Sequence, residues 1–324
     1  MITTNECIKS EIQDLKYKII ENFNLDESKL NFIDCEQIKK IELLKTNSTN
    51  YQVFSGTYNE HNISIKEFST MKVINNLFDN LLHEINSASK TTHPNVPKFY
   101  GIGFNNLNVF LVYDLIKGES LKKKCDGLNL KEKINLLIQI ASIIADLHKI
   151  NITHKGIRTN KFIYNSTENK LFLKDLSEVS YEKGTSSNCL TDHEDKNNYC
   201  SYFPPEYFEN NYDEEDSVEE TEESVKLANE LNSKFDVWSL GCVISEITSG
   251  DIPWSNYSSN DSSHKKTSKV KAMDYLLKKK NFPIPDTLPN EIKDILSQCM
   301  KIKSLERITT NELLEQLQKY YESL

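Results

Sequence analysis

Apolar residues along this chain follow two periods, and the change from one to the other falls near Gly118. Ahead of it, short apolar runs have the character of strands: Ile41–Leu44, Tyr51–Phe54, Ile63–Lys66, Pro97–Tyr100 and Val109–Tyr113, separated by polar turns. One helix interrupts them. Leu77, Leu81, Leu82, Ile85 and Ala88 recur at spacings of three and four, and His93-Pro94-Asn95 then stops the helix. Behind Gly118 the helical period takes over. Ile134, Leu137, Ile138, Ala141, Ile144 and Ala145 line one face, and further helices are expected near 236–249, 269–279, 290–300 and 310–323. Strands with one helix, followed by a helical half, make an α+β arrangement. No internal repeat is visible.

Residues 1–35 read as an N-terminal extension, in which Ile8, Ile12, Leu15, Ile19 and Ile20 give an amphipathic helix of about four turns. That helix is expected to pack on the body of the chain; a dimer or partner contact is the other use of such a face. The remainder, 36–324, is expected to form one large domain with halves at 36–116 and 119–324. Two segments read as solvated insertions. Asn210–Asn229 carries Asp213, Glu214, Glu215, Asp216, Glu219, Glu220, Glu222 and Glu223, and its early half is expected to be an acidic loop. Tyr257–Lys269, rich in Ser, Lys and Asn, reads as a second loop.

Composition adds exclusions. With 38% apolar and 27% charged residues the balance is that of a soluble globular protein, and a net charge of -9 argues against general nucleic-acid binding. No apolar run is long enough to span a bilayer, and Met1-Ile2-Thr3-Thr4 opens no secretory signal. The seven cysteines are odd in number and include no CxxC pair, which fits reduced thiols better than a disulfide framework or a zinc site. A cytoplasmic protein is expected.

The candidate chemistry lies in an ordered series of short motifs. Ile63-Ser64-Ile65-Lys66 ends a predicted strand on lysine, and Glu84 follows 18 residues later on the predicted helix. Next come His154-Lys155-Gly156-Ile157-Arg158-Thr159-Asn160-Lys161, then Lys174-Asp175-Leu176-Ser177 and Pro204-Pro205-Glu206. Phe235-Asp236-Val237-Trp238-Ser239-Leu240-Gly241 and Arg307 complete the set. In this order and at these separations the chain resembles the protein kinase family over roughly 38–323. The resemblance implies a two-lobed fold, with a small β-rich lobe carrying one helix and a larger, mostly helical lobe. The wording of Thr248–Trp254 and of His154–Arg158 looks most like the tyrosine-kinase-like group. In particular it looks like the mixed-lineage kinase domain-like pseudokinases, without their four-helix domain.

The same resemblance implies what has been lost. Gly156 stands at the position of the catalytic base, and general-base help is typically worth about 10²–10⁴-fold, or about 3–5 kcal/mol of barrier. Lys161 stands at the position of the metal-binding asparagine, so an ammonium replaces an oxygen ligand where Mg²⁺ would sit. Asp175 remains at the other metal position, and an ion pair between Lys161 and Asp175 is expected in the metal's place. Lys66, Glu84 and Asp175 are the residual nucleotide-site candidates. The three glycine positions of the phosphate loop read Thr46, Ser48 and Tyr51. Tyr51 is placed to fold into the pocket and Tyr113, at the gatekeeper position, to narrow it; ordinary hairpin residues are the other reading. The Lys66–Glu84 pair, taken as partly exposed, would add about 0–1 kcal/mol. His154, Glu206, Asp236, Trp238 and Arg307 are expected to hold the fold.

The expected function is that of a catalytically inactive pseudokinase, a scaffold or allosteric regulator in signalling. Protein partners are implied, an active kinase among them, with no nucleic acid and no membrane span. No metal and no cofactor are implied, apart from weak, metal-independent ATP binding as the remaining option. The segment 176–203 offers hydroxyls whose phosphorylation would face Lys155 or Arg158. The alternative is an atypical ATP-dependent Ser/Thr kinase or other transferase using Lys66, Glu84 and Asp175. A decoy that copies a kinase surface is the third reading.

Overall fold

Six strands organise the first half of the chain: β1 (Phe32–Ile33), β2 (Lys39–Asn47), β3 (Tyr51–Tyr58), β4 (His61–Ser69), β5 (Phe99–Phe104) and β6 (Asn108–Asp114), in the order β1-β5-β6-β4-β3-β2. The computed structural model describes residues 4–21, 30–47, 51–105, 107–174, 176, 200–208, 221–254 and 282–324. The chain divides into two compact units, Met1–Gly118 with Phe172–Glu178, and Glu119–Leu171 with Val179–Leu324. A β-sheet unit and a helical unit are the α+β, two-lobed architecture that the motifs implied.

In the first unit, β1 pairs parallel with β5 and the other neighbours pair antiparallel. The pleat sends alternate side chains to opposite faces. Ile63 and Ile65 of β4 therefore join Phe110 and Val112 of β6 and Ile33 of β1 in a core on one face. Lys66 points the other way. Two strands differ from the expectation: β5 lies at Phe99–Phe104 rather than Pro97–Tyr100, and the two-residue β1 is too short to show a period.

α1 (Thr4–Glu21) buries Ile12, Leu15 and Ile19, while the Lys16 ammonium lies 5.0 Å from the centre of the Phe104 ring, so its apolar face is covered by the first unit itself. α2 (Phe78–Lys90) follows a helical turn at Thr70–Lys72 and a π-helical turn at Val73–Leu77. It buries Leu81, Ile85 and Ala88 as the spacing predicts, leaves Leu82 half-buried, and also buries Glu84.

The second unit is mostly helical. α3 (Leu121–Cys125) and α4 (Leu130–Lys149) come first, α4 opening on a reciprocal cap between Asn129 and Glu132. β7 (Glu119–Ser120), β8 (Phe162–Asn165) and β9 (Lys170–Leu173) form a three-stranded sheet. α5 (Pro205–Phe208), α6 (Glu222–Ser249), α7 (Asn290–Cys299) and α8 (Thr310–Ser323) follow. One boundary needs correction: α6 begins at Glu222 rather than near 236. Thr221 and Ser224 exchange cap hydrogen bonds, and the glutamates behind them favour the positive end of the helix dipole. The acidic residues at the end of that supposed loop therefore start a helix. α6 ends at Gly250, whose φ of 84° is the left-handed conformation of a C-terminal cap. Of the expected acidic segment 210–229, residues 210–220 lie outside the described residues, as do the loop at 257–269 and the helix at 269–279. Among the described residues no helix is long and apolar enough to cross a membrane.

Candidate functional site

The first unit contributes a buried cluster around Lys66. The lysine lies on the face of β4 opposite the core, in register with Leu111 on β6 and Val53 on β3. Its ammonium donates to both carboxylate oxygens of Glu84, at 2.9 and 2.7 Å. The Tyr113 hydroxyl donates to Glu84 Oε1 at 3.0 Å. Lys66 is 4% exposed and Glu84 2%. This corrects the expectation of a partly exposed pair. Because water does not screen the two charges, the surface value no longer applies, and removing one partner would strand the other in a dry interior. The gatekeeper expectation also changes in content. Tyr113 packs its ring 5.2 Å from that of Phe99, and its hydroxyl ties β6 to α2 through Glu84.

Tyr51, the first residue of β3, pairs with Phe68 on β4. Its ring centre lies 4.3 Å from the Lys66 ammonium and 5.5 Å from the Phe68 ring, and Phe68 in turn lies 5.4 Å from the ammonium. Thr46 is a ladder residue of β2 opposite Gln52, so neither Thr46 nor Tyr51 belongs to a free glycine-type loop. Ser48 lies outside the described residues.

The second unit holds the segment 154–161 by its backbone. Asp236, on α6 and fully buried, accepts from the amides of His154 at 2.8 Å and Lys155 at 2.7 Å. His148 Nε2 approaches the same carboxylate at 3.0 Å, while its Nδ1 lies 2.8 Å from the Thr310 hydroxyl of α8. These bonds hold Lys155 at φ 52°, a left-handed conformation costing a lysine about 1–2 kcal/mol. Gly156 is buried and does not share that region, unlike Gly127 and Gly250 with φ of 86° and 84°. Backbone geometry therefore does not demand glycine at 156. Arg158 Nε donates to Asn160 Oδ1 at 2.6 Å, and Lys161, 6% exposed, closes a 3-10 turn by donating its amide to the Arg158 carbonyl at 3.0 Å.

Behind this segment lies a set that sequence reasoning missed. Glu246, 6% exposed on the apolar face of α6, accepts from the Thr159 hydroxyl at 2.9 Å and from the Tyr202 hydroxyl. Burial pushes the Glu246 carboxyl above its ordinary value, and burial next to Glu246 holds the Tyr202 phenol well above its own. The available signal was a single acid set among Val243, Ile244 and Ile247. Arg307 and Glu206 meet as expected, through bonds of 2.6 and 2.7 Å, and the Arg307 guanidinium stacks 5.1 Å from the centre of the Trp238 ring.

The structure thus brings Lys66 and Glu84 together, and places Gly156 and Lys161 on one short segment held by Asp236. Asp175, and with it the expected Lys161–Asp175 pair, lies outside the described residues. A divalent cation needs a cage of oxygen ligands. Segment 154–161 presents a hydrogen atom at 156, a buried ammonium at 161 and the further cations Lys155 and Arg158. The side chains at 156 and 161 themselves therefore offer no oxygen to a hard metal ion.

Comparison with known proteins agrees with this layout. The family model described as protein kinase domain matches residues 47–318. The chain is 26% identical over 245 residues to serine/threonine-protein kinase cds1 of Schizosaccharomyces pombe, covering 72% of this chain and 46% of that protein. It is 26% identical over 242 residues to an Aurora kinase of Debaryomyces hansenii, covering 72% and 50% respectively. A probable inactive serine/threonine-protein kinase of Dictyostelium discoideum is 26% identical over 188 residues, covering 56% of this chain and 14% of that protein. The chain spans half or less of the length of these curated relatives.

Proposed function

We propose a function from one premise: the chain belongs to the protein kinase domain family. Within that family it acts without phosphoryl transfer, as a pseudokinase that serves as scaffold or allosteric regulator for a protein partner, an active kinase in the first instance. The observation that carries this reading is the pair Gly156 and Lys161. Phosphoryl transfer depends on positioning the nucleophile and neutralising charge with metal ions. Gly156 cannot accept a proton, and Lys161 puts a buried cation where the family binds a metal. The bonds that shape both units survive: Lys66 with Glu84, Asp236 with the 154–155 amides, and Arg307 with Glu206. A chain that keeps the shape and drops the chemistry suits a role in which partners read surfaces. Similarity to a Dictyostelium protein named as probably inactive, and the likeness to mixed-lineage kinase domain-like pseudokinases, support the same reading. The free thiols of Cys35, Cys125, Cys242 and Cys299 support a reducing, cytoplasmic setting.

The test has two arms. Purified chain is incubated with radiolabelled ATP, Mg²⁺ or Mn²⁺ and a protein substrate, and its melting is followed with and without ATP and metal. No label transfer is expected and no metal-dependent shift, whereas a ligand at about 100 times its Kd would add about 2.7 kcal/mol. Transfer that disappears in the Asp175→Ala variant would overturn the reading. A second reading, an atypical transferase, has one observation in its favour: the Lys66–Glu84 pair is formed. The same label-transfer assay decides between them.

A further inference from the structure

We propose that Tyr51 is a built-in occupant of the Lys66 site: its ring covers one side of the ammonium and shuts phosphate out there. The inference concerns the first unit alone and does not depend on Gly156 or Lys161.

The geometry supports an occupant rather than a bystander. Lys66 is 4% exposed although its side chain carries a full charge, and a buried ammonium must be surrounded by groups that tolerate it. Two of those groups are the oxygens of Glu84 at 2.9 and 2.7 Å. Two more are aromatic faces, Tyr51 at 4.3 Å and Phe68 at 5.4 Å from the nitrogen. The negative face of a ring attracts a cation without adding charge. An incoming phosphate would find the ammonium already paired with Glu84 and covered on one side by the Tyr51 ring.

The placement of Tyr51 follows from strand register. Tyr51 pairs with Phe68, and Val53 pairs with Lys66. Tyr51 and Val53 share one face of β3 by the period of two, so the ring of Tyr51 reaches Lys66 along the cross-strand diagonal. Tyr51 is the first residue of β3 and half-buried, and its pairing with β4 is made by the backbone, which a substitution of the side chain leaves in place. A small residue there would leave the ammonium open on that side. Phe at 51 would keep the cover, since the π face and not the hydroxyl meets the ammonium.

The experiment uses the full chain in EDTA, with ADP as one probe and inorganic pyrophosphate as the other, and reads affinity by calorimetry. Wild type and Tyr51→Phe should bind alike and weakly. Tyr51→Thr, which keeps a strand-forming residue, should bind both probes about 5–30-fold more tightly, the range set by a desolvated cation–π contact. Adding Lys66→Met together with Glu84→Met, which removes both buried charges, to Tyr51→Thr should abolish the gain. Tyr51→Ala serves in its place should the threonine variant not fold. The proposal is overturned if neither small variant gains affinity, if Tyr51→Phe gains as much as they do, or if the gain survives loss of Lys66. A gain for ADP without one for pyrophosphate would also overturn it, because the uncovered group would then not be an anion site. Phosphate transfer is not read, so the outcome leaves the pseudokinase reading to its own assay.

Discussion

Replacing Lys66 by methionine should destabilise the chain severely in the complete absence of nucleotide. The substitution keeps an unbranched side chain but deletes the charge that balances Glu84, a carboxylate 2% exposed. Glu84 would retain the Tyr113 hydroxyl at 3.0 Å and lose two bonds of 2.9 and 2.7 Å. Removing one partner of a buried pair costs about 3–5 kcal/mol, against a total stability of about 5–15 kcal/mol. At about 2–4 °C per kcal/mol for a protein of this size class, melting should fall by about 6–20 °C. Urea unfolding in EDTA measures the loss without any contribution from ligand. Replacing both charges, Lys66→Met with Glu84→Met, should recover much of it, because a buried pair exchanged for apolar residues is often neutral or better. That double variant leaves the Tyr113 hydroxyl without its acceptor, so adding Tyr113→Phe should bring stability to within about 1 kcal/mol of wild type. A loss below about 1 kcal/mol for Lys66→Met would show that the pair behaves as a solvated surface pair, and the argument from burial would fail. A triple variant as crippled as the single would refute it too.

Three further outcomes are expected. Asp236→Ala removes the acceptor of the His154 and Lys155 amides and the partner of His148, and should cost about 3–5 kcal/mol in urea unfolding. Asp236→Asn, which keeps one acceptor oxygen, should lose less. Arg307→Lys keeps the charge but cannot reproduce the paired bonds to Glu206 together with those to the Lys301 and Lys234 carbonyls, so a loss of about 2–4 kcal/mol is expected in the same measurement. Glu246 supplies a pH signature. Its carboxyl is raised above 4.5 by burial, so the folded chain binds that proton more tightly than the unfolded chain. The resulting stability is present in full below pH 4.5 and is lost as pH rises through the raised value. Glu246→Gln cannot titrate, so wild type should lose stability relative to this variant as pH rises above 4.5 and through the raised value. Melting curves in which the two keep a constant separation across that window would contradict the assignment.

The parts of the fold that could be read from the chain are those where one period persists. α4 was legible because nine buried positions repeat along twenty residues, and β4 and β6 because their apolar residues alternate or run on. The start of α6 was not, since Glu222 to Lys234 carries its helix signal in a cap and a dipole preference rather than in an apolar stripe. β1 is two residues long and offers no period at all. At the candidate site, Lys66 with Glu84 and Glu206 with Arg307 were legible through the ordered motifs that resemble the protein kinase family, and both pairs meet, whereas the amide partners of Asp236 were not foreseen. Burial was the quantity that could not be read. Lys66 and Glu84 look the same in a sequence whether they face water or a dry interior, and the difference is several kcal/mol. The Glu246 set was missed for a related reason: its members at 159, 202 and 246 are far apart in the chain, and no local pattern joins them.

How the segment 154–161 is held shows which of its positions the fold depends on. Asp236 grips the amides of His154 and Lys155, not their side chains, and Thr159 is fixed three residues beyond Gly156 by Glu246. Both anchors flank position 156 and neither touches it through a side chain. The backbone there lies outside the left-handed region, so glycine is not required for the turn. The two anchors therefore set the path of the loop without calling on a side chain at 156. Lys161 differs, because an ammonium 6% exposed must be compensated by its surroundings. Position 161 is therefore the more constrained of the two. Gly156→Ala, which adds one uncharged methyl at a buried position outside the left-handed region, should change melting less than Lys161→Asn, and equal effects in urea unfolding would contradict this account.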